Sequence, residues 1–251
     1  ISASKNDDKI AFYQNNGSQS FTAIDITTSI DEAYKGLSVV DMDKDGDMDI
    51  LAATWDKGVY WLNNTWGKSY NGSQSFTKQT VGNYMYAAKD AFAIDLDQDG
   101  DMDVVTGGPD GINWHQNNGS QSFLAKAIIS DDGTGYGVFP IDVDRDGDID
   151  VVSFTNRSGN WKVYWSENNG SQSFTSHTLV TGLNSVYELF AIDFDRDGDI
   201  DILYASQGDG TLVWLENNGS QSFTAKNIDT AGNFSSLYVI DLNKDGHLDV
   251  V

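Results

Sequence analysis

Short runs of apolar residues alternate along the whole chain with turns rich in glycine, asparagine and aspartate. A stretch such as LSVVD or LFAID is followed by an acidic segment and then by a run such as DILAAT or DVVSFT. An aromatic run such as VYWLNN comes next, and a run such as SFTKQTV completes the unit. Because β-branched and aromatic residues favour strands and Asn-Gly favours hairpin turns, each unit is predicted to form four short antiparallel strands. Helix is disfavoured, because turn residues interrupt every run.

The acidic segments are five versions of one nine-residue motif. They read DMDKDGDMD from Asp41, DLDQDGDMD from Asp95, DVDRDGDID from Asp142, DFDRDGDID from Asp193 and DLNKDGHLD from Asp241, and we number them loops 1 to 5. Their starts lie 54, 47, 51 and 48 residues apart, and the phrase NNGSQSF or YNGSQSF recurs in every unit. A period near 50 residues with four strands per unit is typical of β-propeller blades.

The predicted fold is therefore all-β: a five-bladed β-propeller of four-stranded antiparallel blades in a single domain, residues 1–251. Complete blades are predicted at about 36–80, 88–129, 136–180 and 187–228. Residues 1–28 resemble the second half of a unit, and residues 234–251 resemble the first half. A blade shared between the two termini would close the ring and remove exposed sheet edges. A cut through a longer array of repeats is the alternative explanation.

Each acidic loop concentrates carboxylates around one glycine. In loop 1, Asp41, Asp43 and Asp45 can converge on one point as the backbone curls, and Gly46 permits a sharp turn. Position 7 is expected to offer its backbone carbonyl, and position 9 a further carboxylate. Oxygen ligands at this spacing favour a hard divalent cation, of which Ca²⁺ is the natural choice. Solvated Asp-Gly turns without metal are the alternative, which five repetitions disfavour.

The acidity of the chain is local. Of a formal net charge of −23, most comes from the five loops, which hold 23 of the 38 acidic and four of the 15 basic residues. No basic stripe is left to neutralise phosphates, so nucleic acid is not an expected partner. The absence of cysteine excludes disulfides and thiolate metal sites. No apolar run approaches the roughly 18 residues of a membrane span, so membrane insertion is not expected.

Calcium loops of this kind also predict a location. Weak loops fill where free Ca²⁺ is roughly millimolar, which is outside cells. We therefore expect a secreted, extracellular or cell-surface protein. The chain begins at Ile1 rather than Met, as expected of a processed or excised part of a secreted protein.

The DxDxDGDxD loop within an all-β repeat of about 50 residues resembles the FG-GAP/VCBS repeat family, and the resemblance covers the whole chain. In that family, as in integrin α-subunit heads, Ca²⁺ lies in the hairpin between the first two strands of a propeller blade. The resemblance implies about five Ca²⁺ ions, one per repeat. The implied side-chain ligands are Asp41, Asp43, Asp45 and Asp49; Asp95, Asp97, Asp99 and Asp103; Asp142, Asp144, Asp146 and Asp150; Asp193, Asp195, Asp197 and Asp201; and Asp241, Asn243, Asp245 and Asp249. The implied carbonyl ligands are those of Asp47, Asp101, Asp148, Asp199 and His247.

Two departures from the family pattern matter. Loop 5 has Asn243 at position 3, so it carries one charge fewer there and is predicted to be the weakest site. Integrin heads have seven blades, whereas this chain has material for five. Integrin-type ligand recognition is therefore not implied.

Two repeated features have a structural and a functional interpretation. Phe12, Trp61, Trp114, Trp165 and Trp214 occupy equivalent places, where packing between blades is favoured over stacking on sugars. The NGS triplets are formal glycosylation acceptors, but Asn-Gly is also the preferred two-residue hairpin turn, and we favour the turn.

The segments expected opposite the acidic loops differ from unit to unit and are rich in aromatic residues. Exposed tyrosine and tryptophan suit ligand contact, although packing on their own blades is an equal alternative. The candidate ligand-binding residues are Tyr34, Trp55, Tyr84, Tyr86, Tyr136, Tyr187 and Phe234.

The sequence thus predicts a non-catalytic, calcium-stabilised extracellular binding module for a glycan or a cell-surface protein. No histidine belongs to a recognisable nucleophile–base pattern, so an enzyme is not expected. Two alternatives stay open. One is an accessory or catalytic domain of a polysaccharide-degrading enzyme, and the other is a structural spacer in a longer repetitive adhesin.

Overall fold

The computed structural model describes residues 1–4, 8–27, 30, 33–55, 58–65, 75–82, 87–130 and 132–251. Within these residues every regular element is a β-strand and there is no helix, so the all-β prediction is confirmed. The strands are β1 Ser2–Ser4, β2 Lys9–Asn15, β3 Phe21–Thr27, β4 Ala33–Val40, β5 Asp49–Thr54, β6 Gly58–Asn64, β7 Phe76–Val81, β8 Asp90–Ile94, β9 Asp103–Gly108, β10 Gly111–Asn117, β11 Phe123–Ile129, β12 Thr134–Ile141, β13 Asp150–Arg157, β14 Asn160–Asn168, β15 Phe174–Leu183, β16 Val186–Ile192, β17 Asp201–Ser206, β18 Thr211–Asn217, β19 Phe223–Asp229, β20 Val239–Ile240 and β21 Asp249–Val250.

The described strands pair with their neighbours in chain order. Four sheets have four strands each, and they consist of β4–β7, β8–β11, β12–β15 and β16–β19. A three-stranded sheet, β1–β3, precedes them, and a two-stranded ribbon, β20–β21, follows them. The predicted four-stranded antiparallel unit is therefore observed in four repeats. A ring closed through a shared blade stays a prediction.

The chain divides into two compact units, residues 1–127 and 128–251. In the first unit the second strand of a sheet is buried on both faces, as β5 shows with all six residues buried. Ile50 and Ala52 pack with Ile10 of β2, whereas Leu51 and Ala53 pack with Ala91 of β8. Alternate side chains of a strand point to opposite faces, so each core-forming strand contributes to two neighbouring layers.

The second unit repeats this arrangement. Ile202 and Tyr204 of β17 pack in one cluster with Val152 of β13, and Leu203 and Ala205 pack in another cluster with Val239 of β20. A continuous apolar run such as DILYAS therefore forms a strand that is covered on both sides rather than an amphipathic one.

Antiparallel pairing places the connections at two opposite ends of each sheet. In the four-stranded sheets the acidic end carries loops 1 to 4, which join the first and second strands, and the described NGSQS segments, which join the third and fourth. Loop 5 joins β20 to β21, and a further NGSQS segment joins β2 to β3. The variable end carries the connections after the second and fourth strands. The repeated motifs and the unequal segments of the sequence are thus separated in space.

Candidate metal centres

All five acidic loops share one backbone conformation at two positions. The residue at position 4 adopts a left-handed conformation in every loop, with φ of 57° for Lys44, 57° for Gln98, 63° for Arg145, 64° for Arg196 and 62° for Lys244. The glycine at position 6 also has positive φ, from 93° at Gly246 to 104° at Gly198. Residues other than glycine rarely adopt a backbone φ near 100°. This explains why position 6 is always glycine.

Backbone amides close each loop around its carboxylates. The amide of Gly46 donates to Asp41 at 3.0 Å, and that of Gly147 donates to Asp142 at 3.1 Å. The position-5 carboxylate accepts the amide of position 7 in every loop, with N–O distances of 2.8 to 2.9 Å. These bonds hold the loop curled so that alternate carboxylates turn to the same side.

In loops 1 to 4 the carboxylates at positions 1, 3 and 5 converge. In each triplet, three oxygens, one from each residue, lie within 4.8 Å of one another. The triplets found among the described residues are Asp41, Asp43 and Asp45; Asp95, Asp97 and Asp99; Asp142, Asp144 and Asp146; and Asp193, Asp195 and Asp197. Four oxygen-rich groups, one per repeat, could therefore hold metal ions.

Each of these triplets also contains a buried oxygen that lacks a hydrogen-bond donor. The oxygens concerned are Oδ1 of Asp43, Asp95, Asp142 and Asp193, among the residues that the structure describes. A buried anionic oxygen without a donor costs free energy, which a bound cation would offset. The donor set consists of oxygen alone, so it fits a hard divalent cation such as Ca²⁺ or Mg²⁺ better than a thiophilic metal.

The position-9 aspartates of loops 1 to 4 are fully buried and have other partners. Asp150 accepts the amides of Val143 at 3.0 Å and Asn168 at 2.7 Å, and the indole Nε1 of Trp165 donates to it at 2.9 Å. Asp49 has the same three kinds of donor. This carboxylate joins the loop to the end of the third strand. It is not part of the converging triplet, and its predicted role as a metal ligand stays a prediction.

Burial makes these carboxylates unusually hard to ionise. It raises the pKa of Asp103, Asp150 and Asp201 to about 6, although the hydrogen bonds from neighbouring amides act in the opposite direction. The pKa of Asp49 is raised for the same reason. A cation nearby would favour the charged form and lower these pKa values.

In loops 2 to 4 the position-7 side chains pack against the NGS segments. A Cβ atom added to Gly119 would lie 2.6 Å from Oδ2 of Asp101, and one added to Gly170 or Gly219 would lie 2.4 or 2.5 Å from Oδ2 of Asp148 or Asp199. The two repeated motifs of a sheet therefore touch at the acidic end. The motif predicts a role only for the backbone of position 7, so this side-chain contact was not predicted.

In the part of the chain that the structure describes, the Asn-Gly pairs do not form the two-residue hairpin turns that were predicted. Strand β2 ends at Asn15 and β3 begins at Phe21, so five residues connect them. Oδ1 of Asn16 accepts the amides of Ser18 at 2.8 Å and Ser20 at 3.3 Å, and Gln19 adopts φ 60°. The asparagine side chain takes the place of a backbone acceptor, which stabilises the longer loop.

Loop 5 differs from the other four loops in its acidic residues. The amide of Asn243 donates to Asp245 at 3.0 Å, and Oδ1 of Asn243 accepts the Asp245 backbone amide at 2.9 Å. Only Asp241 and Asp245 supply carboxylates at positions 1, 3 and 5 of this loop. That loop 5 is the weakest metal site stays a prediction.

Two amide side chains on third strands touch the triplets and were missed from sequence. Asn63 Nδ2 donates to Oδ2 of Asp43 at 2.6 Å, and Gln116 Nε2 donates to Oδ2 of Asp97 at 2.5 Å. Both residues precede the asparagine that ends the third strand. The signal was a polar residue at the same place in every repeat.

The repeated tryptophans lie in the sheets rather than on the surface. Trp61 and Trp114 are 1% exposed and Trp165 is 5% exposed. The remaining two residues of the set, Phe12 and Trp214, are partly buried. For the three buried tryptophans, packing rather than stacking on a sugar accounts for the repeated aromatic position.

The candidate ligand residues at the variable end fall into three groups. Trp55 and Tyr187 are each 38% exposed. Tyr136 is partly buried, with its ring centroid 4.6 Å from that of Trp161, and Phe234 packs against Gly232 and Leu237. Tyr84, Tyr86 and the side chain of Tyr34 lie outside the described residues. Of the described candidates, Trp55 and Tyr187 are therefore the most accessible.

Trp55 is held against a buried cation. Nζ of Lys89 lies 3.3 Å from the centre of the Trp55 ring, and Lys89 is only 6% exposed. A lysine on one face of an indole fixes the ring by a cation–π interaction. The exposed part of Trp55 is thereby presented on a rigid support.

Comparison with known proteins supports the interpretation of these loops. The FG-GAP-like repeat family matches residues 1–52, 41–106, 95–153, 142–204 and 193–251, which together cover the whole chain. The chain therefore belongs to the FG-GAP-like repeat family, as its motifs indicated. No curated protein sequence matches it.

Solved structures place the fold. The chain is similar to a lectin from Agrocybe aegerita that recognises non-reducing terminal N-acetylglucosamine, with 21% identity, a TM-score of 0.62, and coverage of 93% of this chain and 66% of the lectin. It is also similar to BBS1N, solved in complex with ARL6DN, with 11% identity, a TM-score of 0.57, and coverage of 88% of this chain and 63% of BBS1N. The chain spans less than two thirds of either protein. These likenesses show a β-propeller-like fold.

No helix among the described residues is long and apolar enough to cross a membrane.

Proposed function

We propose that this chain is a non-catalytic, calcium-stabilised binding module that acts outside cells and recognises a glycan or an extracellular protein. The proposal is carried by the four aspartate triplets at the acidic end, each with a buried oxygen that has no hydrogen-bond donor. Negative charge is concentrated there in a form that a divalent cation would neutralise. Membership of the FG-GAP-like repeat family supports calcium as that cation.

Calcium would supply charge neutralisation and rigidity rather than chemistry. In each repeat the side chains at positions 1, 3 and 5 would hold it, together with the position-7 carbonyl and the position-9 carboxylate. Because these ligands span the hairpin between the first two strands, the ion would link the hairpin to the sheet. In a chain without cysteine, such links take over the role that disulfides have in many extracellular domains.

We further propose that the β1–β3 sheet and the β20–β21 ribbon complete one blade and close the ring. The observations in favour are the half-unit character of residues 1–28 and 234–251 and the incomplete strand number of both elements. A two-stranded ribbon by itself is marginally stable in water. A circular permutant that joins residue 251 to residue 1 and opens the chain near residue 131 tests closure. It should melt at or above the temperature of the parent chain, whereas a permutant that fails to fold would argue against a closed ring.

The variable end is the proposed recognition surface, and Trp55 is its best-supported residue. Its ring is supported by Lys89 and remains 38% exposed. Flat aromatic rings with one accessible face suit both sugar rings and protein side chains. The Agrocybe aegerita lectin, whose fold is similar, recognises a glycan. Glycans are therefore the first ligand class to test.

The environment of two carboxylates at the variable end makes them unsuited to act as general acids. Although burial raises the pKa of Asp132, hydrogen bonds from Lys162, Tyr164 and Thr155 outweigh it and hold the pKa below its usual value. Hydrogen bonds from the Asn184 backbone amide, Ser206 and the Asn184 side chain lower the pKa of Asp209 in the same way, again against burial. Carboxylates stabilised in the ionised form are poor general acids at neutral pH.

A glycan array probed with and without Ca²⁺ tests the proposal. Binding to one glycan class should appear in Ca²⁺, weaken in EDTA and be lost in Trp55→Ala. Tyr13→Ala is the matched control, because Tyr13 is a 49% exposed aromatic residue near the acidic end of β2. Retained binding by Trp55→Ala, or equal loss in both variants, would remove Trp55 from the recognition surface. Absence of glycan binding would leave extracellular proteins as the class to screen by surface capture.

A further inference from the structure

The four triplets are chemically alike, but the residue that reaches them from the third strand is not. In each sheet it precedes the asparagine that ends the third strand. Loops 1 and 2 face the neutral amides of Asn63 and Gln116, which donate to the position-3 carboxylate. The equivalent residues beside loops 3 and 4 are Glu167 and Glu216.

The strand register shows that Asn63, Glu167 and Glu216 occupy equivalent places, and Gln116 likewise precedes the asparagine that ends its strand. Glu167 pairs with Thr175 and the following Asn168 with Phe174, while Glu216 pairs with Thr224 and Asn217 with Phe223. Asn63 pairs with Thr77 in the same way. A carboxylate therefore replaces an amide at one fixed point beside the loop, rather than at a shifted position.

Glu167 and Glu216 lie at the place on the third strand from which Asn63 reaches the position-3 carboxylate of loop 1. Glu167 Oε2 is 2.8 Å from Nε2 of His177, and Glu216 Oε2 is 2.6 Å from Nζ of Lys226. These pairs are 29% to 44% exposed, so they contribute little to stability and do not hold the glutamates firmly.

We infer that Glu167 and Glu216 are auxiliary carboxylates that raise the cation affinity of loops 3 and 4 above that of loops 1 and 2. The inference rests on the proposed metal binding and adds an order of filling to it. An additional negative charge roughly 6 Å from a divalent ion strengthens binding by about tenfold in water-like surroundings. Calcium sites in general are tuned by the number of charged ligands. By contrast, the amides of Asn63 and Gln116 orient the position-3 carboxylate without adding charge.

The order of filling can be read one loop at a time by nuclear magnetic resonance. The position-6 glycine amides of loops 1, 2 and 3 donate to the position-1 carboxylate, so their chemical shifts report on their own loop. The full chain would be titrated with Ca²⁺ from the metal-free state. Gly147 and Gly198 should reach half of their shift at about tenfold less Ca²⁺ than Gly46 and Gly100.

Variants test the two glutamates directly. Glu167→Gln should move the Gly147 midpoint to that of Gly46, and Glu216→Gln should do the same for Gly198. The reciprocal change Asn63→Glu should shift the Gly46 midpoint to lower Ca²⁺. Glu188→Gln is the control, because it removes the same charge from β16, away from the acidic loops.

The outcomes separate this inference from the proposed function. Coincident midpoints for all four glycines, or a Gly147 midpoint that Glu167→Gln leaves in place, would overturn the inference while leaving metal binding intact. Glycine amides that do not respond to millimolar Ca²⁺ would overturn metal binding itself.

Discussion

The acidic end and the variable end of the sheets differ in how regular their connections are. At the acidic end, five loops repeat one backbone conformation, down to a left-handed residue at position 4 and a glycine at position 6. At the variable end each connection has its own contacts, such as Lys89 against Trp55 and Asp209 with Ser206. Under the proposed function, the repeated loops of the acidic end stabilise every sheet in the same way, and the variable end is free to differ in function.

Among the tests of this contrast, metal removal is expected to have the largest effect on stability. At a Ca²⁺ concentration of 100 times Kd, each site adds about 2.7 kcal/mol, so four sites add about 11 kcal/mol. Excess EDTA should therefore lower the melting temperature by about 20 °C or more in differential scanning calorimetry, and Ca²⁺ should restore it. An unchanged melting temperature would show that the acidic end does not depend on metal.

The next largest effect compares one aspartate from each end. Asp150→Ala leaves buried donors of Val143, Trp165 and Asn168 without an acceptor and should lower the free energy of unfolding by about 3–5 kcal/mol. Asp209→Ala should cost about 1 kcal/mol, because Asp209 is exposed. Urea denaturation in EDTA measures both. Equal losses would mean that the two ends contribute alike.

A pH-dependent effect comes from the interior, where the side chain of His115 is buried. Burial lowers the pKa of His115 to about 4, so the unfolded chain binds the extra proton between pH 6.5 and 4 and stability falls as the pH falls. The loss approaches about 3 kcal/mol by pH 4. His115→Leu installs the residue found at the equivalent Leu62 and Leu215 and should flatten this dependence.

The measurement for His115 is the difference in unfolding free energy between the two proteins at pH 7 and pH 5, both in EDTA. Carboxylates common to both proteins cancel in that difference. A variant that loses stability with acid as steeply as the parent chain would exclude His115 as the cause.

The smallest expected effect compares two glycines with similar backbone conformations. Gly182 near the variable end has φ 77°, and a Cβ added there would meet no atom within 4 Å. Gly170 at the acidic end has φ 69°, and a Cβ added there would collide with the Asp148 side chain. Gly182→Ala should cost about 1–2 kcal/mol from the backbone alone. Gly170→Ala should cost about 1 kcal/mol more, and Asp148→Ser should relieve that excess. Thermal unfolding in EDTA compares the parent chain, Gly182→Ala, Gly170→Ala and the double variant Gly170→Ala/Asp148→Ser. Equal costs at both glycines would show that the side chain of Asp148 moves aside freely.

Much of the fold could be predicted from the sequence because the determining patterns are local. Alternating apolar runs, the 50-residue period and the glycine at position 6 each reflect one strand or one turn. The NGS segments were predicted less well, because the hydrogen bonds that the Ser18 and Ser20 amides donate to Oδ1 of Asn16 permit a longer loop, which dipeptide preference does not reveal. A side-chain acceptor that replaces a backbone acceptor leaves no periodic signal.

The site was predictable in its ligand types but not in its surroundings. Asp43 is visible in the motif, but its partner Asn63 lies 20 residues away, and only strand pairing brings the two together. The same holds for Asp150 and Trp165. At the variable end no repeated pattern distinguishes exposed Trp55 from partly buried Tyr136, because burial there depends on segments that differ in every repeat.

The alternating burial of the second strands has a consequence for how this chain acquires its structure. Leu51 and Ile50 are adjacent in sequence but contact different neighbouring sheets. A single repeat, excised with its own four strands, would leave about half of the apolar surface of its second strand exposed to water. The smallest segment able to fold autonomously must therefore be longer than the segment that evolution duplicated.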